Sequence, residues 1–475
     1  MRLKRMISAA AAALIAAMQL PVYTAFADSE SIDNELTDGT FVFEKVDDGY
    51  KIVQCDASAI ITEVPAMRNG YAIVEIGTQA FAGCTFITEL KIPDTVKTIG
   101  QYAFGGCTSL QKVTLPDSLT EIPFGAFAAC ESLEAIEVPE GVTTIGDAAF
   151  SKCVAAKTLE LPDSLTMIGN GSFEHCYSIT EINIPENVSY IGDQAFIHTP
   201  SVEKITADGS EVFTVEDNVL YDKAKTKLYH AAAHNIPTEF YVPDTVKSVS
   251  DGAFSYCTEL EKIFFPSPVT SVGQEAFLFC LELSHVDFSE GLVEIGTSAF
   301  AQCTALTSID LPTTLMTIGD GAFYADTALE QVIIPEGPKT LGSGAFAGCT
   351  SLKNIIVPAS ITSVGEYALG YDIGSEGTYD LIDGFSMSVK SGSAAEDYAE
   401  DNKIEHTVSD KSLAGMAFVI IGAGVLAAAA VFAVVLMRRG KKGASAEVKA
   451  EQKAEAEFLE ENDPSYKSIT DDPEK

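Results

Sequence analysis

Apolar residues recur at a fixed step of 23 residues along most of this chain. The repeated pattern is Ile-Gly-x-x-Ala-Phe-x-x-Cys-x-x-Leu, followed by a short alternating run that ends in proline, and it occurs about twelve times. The phenylalanine of each copy, here called the anchor, keeps its register within two arrays. The anchors are Phe81, Phe104, Phe127, Phe150, Phe173 and Phe196, then Phe254, Phe277, Phe300, Phe323 and Phe346, with Leu369 in the last copy. Because so short a unit cannot bury its own apolar face, the pattern predicts a solenoid of stacked coils that share one continuous core.

Each copy contains local signals for one strand and one corner. Residues 113–115 alternate as a strand does, and Pro116 ends the run because proline has no N–H to donate to a sheet ladder. An Ile-Gly pair follows in most copies, for example at Gly100 and Gly146. These glycines predict a corner that needs an unusual backbone angle.

The repeated motif resembles the BspA-type leucine-rich repeats of bacterial surface proteins over residues 41–406. This resemblance implies an α/β-repeat solenoid of 23-residue leucine-rich repeats, with one short strand ladder per face and capped ends. It also implies adhesion to proteins of host or neighbouring cells, and a bacterial source for the protein. Fold resemblance alone does not identify the ligand.

Two further apolar segments predict export and membrane anchoring. Residues 1–27 have the charge order and the small-residue end of a secretory signal peptide. Residues 413–437 contain no charge and are followed by Arg438, Arg439, Lys441 and Lys442, which predicts one transmembrane helix with the C-terminus in the cytoplasm. Wall anchoring is the alternative, but no Leu-Pro-x-Thr-Gly motif precedes the apolar run.

These signals divide the chain into nine predicted segments. They are a signal peptide (1–27), an N-terminal cap (28–74), a first repeat array (75–200), a repeat with a hairpin insertion (201–243), a second repeat array (244–370), a C-terminal cap (371–406), a stalk (407–412), a transmembrane helix (413–437) and a cytoplasmic tail (438–475).

The composition is strongly acidic. The chain has 68 acidic and 30 basic side chains, for a formal net charge of −38. Such a field repels nucleic acid, which excludes a nucleic-acid partner. The carboxylates keep an extracellular solenoid soluble; alternatively, they attract a basic partner or hold calcium weakly. The sequence has no phosphate-binding loop, nucleophile elbow or dinucleotide fingerprint, so we assign no enzymatic activity, catalytic residue, cofactor or metal.

Nine of the ten cysteines lie three residues after an anchor. An exported protein invites a disulfide interpretation. However, neighbour pairing leaves one cysteine over in each consecutive run, and Thr199 and Asp326 replace the thiol without loss of register. A ladder of thiols also does not converge as zinc ligands must. The sequence therefore favours buried structural thiols.

The arrays are separated by about twelve extra residues between Phe196 and Phe254. Residues 212–221 and 227–230 predict a β-hairpin there. His230 and His234 have the i, i+4 spacing that chelates a metal on a helix, but Ala231 replaces the glutamate of the metalloprotease motif. We interpret the two histidines as packing residues.

The two ends of the repeat region carry capping signals. Residues 41–53, with Asp48-Gly49 at their centre, predict an N-terminal hairpin. Ser393 and Glu396 form a capping box that predicts a short helix ending near Asn402.

One outward strand position of each coil forms the candidate ligand-binding face. In the first array this position is polar, and in the second it carries apolar residues with acidic ones between them, as protein interfaces do. The candidate face consists of Phe264, Asp287, Asp310, Ile333 and Ile356. The alternative is that the hairpin or residues 371–387 cover these side chains.

We therefore predict a membrane-anchored extracellular protein that binds a protein or glycan ligand on another cell. The alternative function is a surface sensor that relays ligand binding to its short cytoplasmic tail.

Overall fold

The computed structural model of the protein describes residues 37–374 and 378–408. The predicted signal peptide, transmembrane helix and cytoplasmic tail lie outside these residues. In residues 37–374 and 378–408, no helix combines the length and the apolar composition needed to cross a membrane.

Each 23-residue coil contributes one longer and one shorter strand. The longer strands are β5 (Glu89–Lys91), β7 (Lys112–Thr114), β9 (Ala135–Glu137), β11 (Thr158–Glu160), β13 (Glu181–Asn183), β15 (Lys204–Thr206), β19 (Glu239–Tyr241), β21 (Lys262–Phe265), β23 (His285–Phe288), β25 (Ser308–Asp310), β27 (Gln331–Ile333) and β29 (Asn354–Ile356). The shorter strands are β6 (Thr98–Ile99), β8 (Glu121–Ile122), β10 (Thr144–Ile145), β12 (Met167–Ile168), β14 (Tyr190–Ile191), β20 (Ser248–Val249), β22 (Ser271–Val272), β24 (Glu294–Ile295), β26 (Thr317–Ile318), β28 (Thr340–Leu341) and β30 (Ser363–Val364).

Both kinds of strand form parallel pairs with their counterparts in the next coil, except at a few steps such as those between β7 and β9 and between β23 and β25. Glu137 pairs with Glu160 on the longer strands, and Ile145 pairs with Ile168 on the shorter ones, so the register equals the sequence period. The prediction of a solenoid of stacked 23-residue coils is confirmed.

The third side of each coil is built from turns around the anchor. Its backbone also bonds from coil to coil: the N–H of Phe104 donates to the carbonyl of Ala126 over 2.8 Å, and Phe127 donates to Ala149 over 2.8 Å. The residues two before and two after each anchor have positive φ, as at Tyr102 (53°) and Ala129 (59°). The α/β designation was therefore wrong, because the repeats within residues 37–374 consist of strands and turns without an α-helix.

The anchors form two stacks of rings in the centre of the coils. Phe104 and Phe127 have ring centroids 5.0 Å apart and planes within 4°, and Phe277 and Phe300 have centroids 4.9 Å apart and planes within 2°. All four side chains are fully buried. Burying a phenylalanine contributes about 1.5–3 kcal/mol per coil, so the stack holds the coils in register.

The core is not continuous, contrary to the prediction from the repeat. One buried cluster runs from Phe41 to Ile205 and includes Phe213, Leu220 and Ala232 of the insertion, whereas a second begins at Val219 and extends to Ile404. The insertion lies between them as three antiparallel strands, β16 (Phe213–Glu216), β17 (Val219–Asp222) and β18 (Lys227–Ala231). Along β17, Leu220 belongs to the first cluster, whereas Val219 and Tyr221 belong to the second. The strand β17 therefore separates two cores.

The predicted hairpin in the insertion was short by one strand. Residues 212–221 are broken by a turn at Asp217 and Asn218, which both have positive φ, 51° and 62°. This pair of left-handed residues is what a two-residue hairpin turn requires, and Asn and Asp tolerate it best. The Asn218 side chain also accepts from the N–H of Ile205 over 2.8 Å, which fixes the turn to the preceding coil.

The glycines of the Ile-Gly pairs have a different role from the predicted one. Gly100 and Gly146 do not have positive φ. A Cβ at Gly100 would instead lie 2.3 Å from the backbone nitrogen of Thr78 in the preceding coil. Glycine is needed here because two coils approach closely, not because of an unusual angle.

The ends of the solenoid are closed by separate elements. At the N-terminus, β1 (Phe41–Val46), β2 (Gly49–Cys55), β3 (Met67–Arg68) and β4 (Tyr71–Ile76) form a sheet that begins with the predicted hairpin. At the C-terminus lie β31 (Tyr371–Ile373), β32 (Tyr379–Leu381), β33 (Ser386–Val389), α1 (Ala394–Asp401) and β34 (Glu405–Val408). The last strand includes Thr407 and Val408, the first residues of the predicted stalk.

The capping box of α1 is confirmed, with one difference. The Ser393 hydroxyl accepts from the N–H of Glu396, and the Glu396 carboxylate accepts from Gly392 rather than from Ser393, over 2.6 Å. Two backbone donors at the helix start are thereby satisfied.

All ten cysteines are free and buried, as expected for structural thiols. Most of them donate to the anchor carbonyl of the preceding coil; Cys130 Sγ lies 3.3 Å from the Phe104 oxygen and Cys303 Sγ lies 3.3 Å from that of Phe277. Burial raises the pKa of Cys130 and of Cys176 to about 12. The thiols are therefore protonated, and they donate hydrogen bonds to backbone carbonyls of the preceding coil.

Candidate ligand-binding face

The longer strands align one outward side chain per coil, and we call the third residue of these strands the strand column. Its members are Lys91, Thr114, Glu137, Glu160, Asn183 and Thr206 in the first array and Tyr241, Phe264, Asp287, Asp310, Ile333 and Ile356 in the second. The middle residue of each strand points inward, as Phe240 and Ile263 do. Alternation along the strand therefore positions every member of the column on the same face.

The register brings all five predicted face residues into one column. Phe264 pairs with Asp287, and Asp310, Ile333 and Ile356 pair in succession. Asp287 is exposed, whereas the other four side chains are half-buried by their neighbours in the column.

Tyr241, the most exposed apolar member of this face, was not predicted from the sequence. Tyr241 precedes Phe264 by one period and retains 65% of its side-chain exposure. Its ring lies over that of Phe264 with centroids 4.5 Å apart and planes within 6°. The 23-residue step itself predicts Tyr241, but the insertion hides it because the count from the first array is interrupted there.

Polar side chains border this aromatic pair. His285 lies beyond it, with its ring centroid 5.6 Å from that of Phe264. On the parallel outward column, Lys262 Nζ contacts Glu239 Oε1 at 2.6 Å, and this hydrogen bond raises the pKa of Lys262. The site thus combines two apolar ring faces with an ion pair and a histidine at its edge.

The C-terminal cap extends the column instead of covering it. Strand β33 pairs with β29 in parallel, so that Ser388 follows Ile356. Residues 386 and 387, the end of the segment proposed as a cover, thus belong to the next strand of the ladder, and the insertion strand β18 joins the ladder of shorter strands through β20.

The histidines at the predicted i, i+4 spacing do not come together. His230 lies in strand β18 and is buried, with its Nε2 atom 3.1 Å from the Thr199 hydroxyl. His234 is outside the core, with Nδ1 3.4 Å from Glu259 Oε1. Residues 231–233 are not helical, so the metal-chelating spacing is not realised.

A solenoid of 23-residue leucine-rich coils with an exposed, aligned strand face belongs to the class of repeat proteins that present binding surfaces. The model of the BspA type leucine rich repeat region matches six copies, over residues 74–203, 116–227, 233–337 and 317–373. The chain therefore belongs to the BspA-type leucine-rich repeat family. No curated protein matches the chain.

Solved structures agree with this assignment. A leucine rich cell surface protein from Faecalibacterium prausnitzii is similar with a TM-score of 0.57 and 29% identity, over 71% of this chain and 94% of that one. The pneumococcal vaccine antigen PcpA is similar in fold, with a TM-score of 0.58 and 20% identity, over 78% of this chain and 100% of that one.

Proposed function

We propose that this protein is a bacterial cell-surface adhesin that binds a protein or glycan of another cell through the second-array part of the strand column. The observation that carries the proposal is the stacked pair Tyr241 and Phe264. At the equivalent positions the first array has only polar residues. The exposed Tyr241 therefore leaves apolar surface in contact with water and adds nothing to the core. A ligand that covers both rings recovers that area.

The chemistry of the face defines what it binds. Parallel ring faces suit the apolar side of a sugar ring or an apolar side chain, and Glu239 and Asp287 beside them favour a polar or basic partner. The acidic charge of the whole chain speeds the approach of a basic partner and slows that of an acidic one.

The test is a binding assay with matched variants. The protein is presented to arrayed matrix proteins and glycans at physiological salt, beside a Tyr241→Ser, Phe264→Ser variant and a control with Glu137→Ser and Glu160→Ser, which changes the same column in the first array. Loss of an aromatic hot spot costs at least about 2 kcal/mol, so we expect at least about 30-fold weaker binding in the first variant and unchanged binding in the control. Equal binding by all three proteins would rule out this face.

Anchoring is proposed from residues 413–437 and tested separately. Cells that express the chain truncated after residue 412 should release it, whereas cells that express the full chain should retain it in the membrane fraction. Removal of residues 444–475 alone should leave both retention and binding unchanged; a lost cellular response with intact binding would favour the sensor.

A further inference from the structure

A second cluster of polar side chains lies on the turn side of the coils, where the two arrays meet. His175 and His198 are each two residues after an anchor, in adjacent coils, and both have the left-handed backbone of that position, with φ of 60° and 59°. Their rings lie 4.3 Å apart. Their spacing of 23 residues is the sequence signal for the cluster, and it is visible only once the period is known.

Three potential donor atoms converge in this cluster. His175 Nε2 lies 3.0 Å from Glu174 Oε1 and 3.4 Å from His198 Nδ1. All three donor atoms lie within 4.8 Å of one another. Ligands of a tetrahedral zinc ion with bonds of about 2.0–2.1 Å are separated by about 3.3 Å, and the two distances from His175 Nε2 are close to this value.

We propose that Glu174, His175 and His198 form a zinc site, with water in the fourth position. Imidazole and carboxylate are ligands that zinc accepts, and a site with three protein ligands keeps one position open. The site revises the assignment from the sequence, which contained no metal.

The second nitrogens of the two rings also have polar neighbours. His198 Nε2 contacts Glu275 Oε2 at 2.8 Å, and His175 Nδ1 lies 2.9 Å from the Tyr177 hydroxyl and 3.0 Å from His198 Nδ1. His198 and Glu275 are both buried. A carboxylate or hydroxyl on the second nitrogen fixes the tautomer and orientation of a metal-binding histidine.

The position of this site gives it a structural consequence. Glu174, His175 and His198 belong to the first array, whereas Glu275 belongs to the second. An ion here orders His198 against Glu275 beside the insertion, at the boundary where the two cores separate. The ion therefore links the arrays.

The experiment is a titration of the purified full-length protein with Co²⁺, followed by displacement with Zn²⁺. Tetrahedral Co²⁺ absorbs visible light, so the signal reports both binding and geometry. We expect one equivalent, displaced by one equivalent of Zn²⁺, and at least tenfold weaker binding in Glu174→Gln and in His175→Ala. Glu275→Gln should weaken binding by about 10 to 100-fold, as outer partners of metal ligands do.

Two control variants make the assignment specific. His234→Ala removes a half-buried histidine that has one glutamate partner, and His406→Ala removes the histidine of a separate cluster of three potential ligands, which includes Glu396 and Glu400. Both should bind like the parent. No tetrahedral cobalt signal, an unchanged Glu174→Gln or His175→Ala, or loss of the signal in His406→Ala would overturn the proposal. Glu174→Gln preserves the shape of a partly exposed side chain. An unfolding midpoint without metal equal to that of the parent would therefore show that weaker binding results from the lost ligand and not from misfolding.

Discussion

The two arrays have separate cores of the same design, and they differ in the outward strand column. In both arrays the anchors, the thiols and the strand residues that face inward recur in register, and the ring stacks have nearly the same spacing. The strand column, by contrast, is polar from Lys91 to Thr206 and then contains Tyr241, Phe264, Ile333 and Ile356. The core positions are constrained by stacking, whereas the outward position is free to specialise. In the proposed function, ligand binding depends on the strand column, whereas stability depends on the repeated core positions.

The largest expected effect comes from removing an anchor. Phe127→Ala and Phe300→Ala each leave a cavity in a ring stack and should cost about 3–5 kcal/mol. Because the two cores are separate, hydrogen exchange should accelerate in the first array for Phe127→Ala and in the second for Phe300→Ala. If either variant accelerates exchange equally in both arrays, the arrays unfold as one unit and the division at β17 has no energetic consequence.

The next effect is a pH dependence at the boundary. Burial lowers the pKa of His230 to about 4, below the value of about 6.5 expected in the unfolded chain. Between pH 6.5 and 4 the unfolded chain therefore binds the proton first, and stability should fall by up to about 3 kcal/mol as the pH decreases through this range.

The variant His230→Phe continues the ring stack and should remove this dependence. The Thr199 hydroxyl keeps its bond to the Phe196 carbonyl at 2.8 Å, so no buried hydroxyl is stranded. Denaturant unfolding at pH 7 and pH 4.5 measures the difference, with His234→Ala as the half-buried control. An unchanged pH slope in His230→Phe would contradict the assignment.

A smaller effect is expected from Asp326, which replaces cysteine in the second array. One of its carboxylate oxygens accepts from the N–H of Cys303 over 2.8 Å, and the other is buried without a hydrogen bond. Burial raises the pKa of Asp326, so the folded protein retains a proton that the unfolded chain releases above about pH 3.9. This residue therefore lowers stability as the pH rises above that value.

Asp326→Cys should stabilise the protein at pH 7 by about 1–3 kcal/mol, because it removes an unsatisfied buried group. The reciprocal change in the first array, Cys130→Asp, should destabilise it. Chemical unfolding at pH 7 and pH 4 tests both variants. Loss of stability in Asp326→Cys at pH 7 would show that the carboxyl has a structural role that the thiol cannot supply.

The smallest effect is expected where the arrays differ most. Tyr241→Ser removes one ring of the exposed pair and should cost at most about 1 kcal/mol, within the range of a cross-strand pair. Glu137→Ser is the matched change in the first array. Thermal unfolding of both variants measures the comparison. A large loss in Tyr241→Ser would make the aromatic pair a structural element and weaken the case for a ligand.

Periodicity predicts what lies one coil away and little else. The strands, the buried anchors, the burial of the thiols and the alignment of Phe264 with Asp287 all follow from the 23-residue step. The turn at Asp217 and Asn218 and the two-sided strand β17 do not, because the insertion has no counterpart one period away and its packing depends on both neighbouring cores.

The candidate sites were predicted to different degrees for the same reason. The five column residues were found by following the step, and Tyr241 was missed where the step is interrupted. The contact between His198 and Glu275 crosses the insertion. His198 lies two residues after an anchor and Glu275 lies two residues before one, so the 23-residue step does not relate them. Only the structure shows that they are close.

The parallel register, in which Glu137 pairs with Glu160, also has an evolutionary consequence. Gene duplication or deletion of a whole coil reproduces every interstrand hydrogen bond, whereas a change of any other length shifts the strands against each other. Coils of the first array are therefore interchangeable units that recombination adds or removes without altering Tyr241 and Phe264. The same genetic events within residues 239–264 would divide the aromatic pair, so the number of coils and the proposed binding face are free to evolve separately.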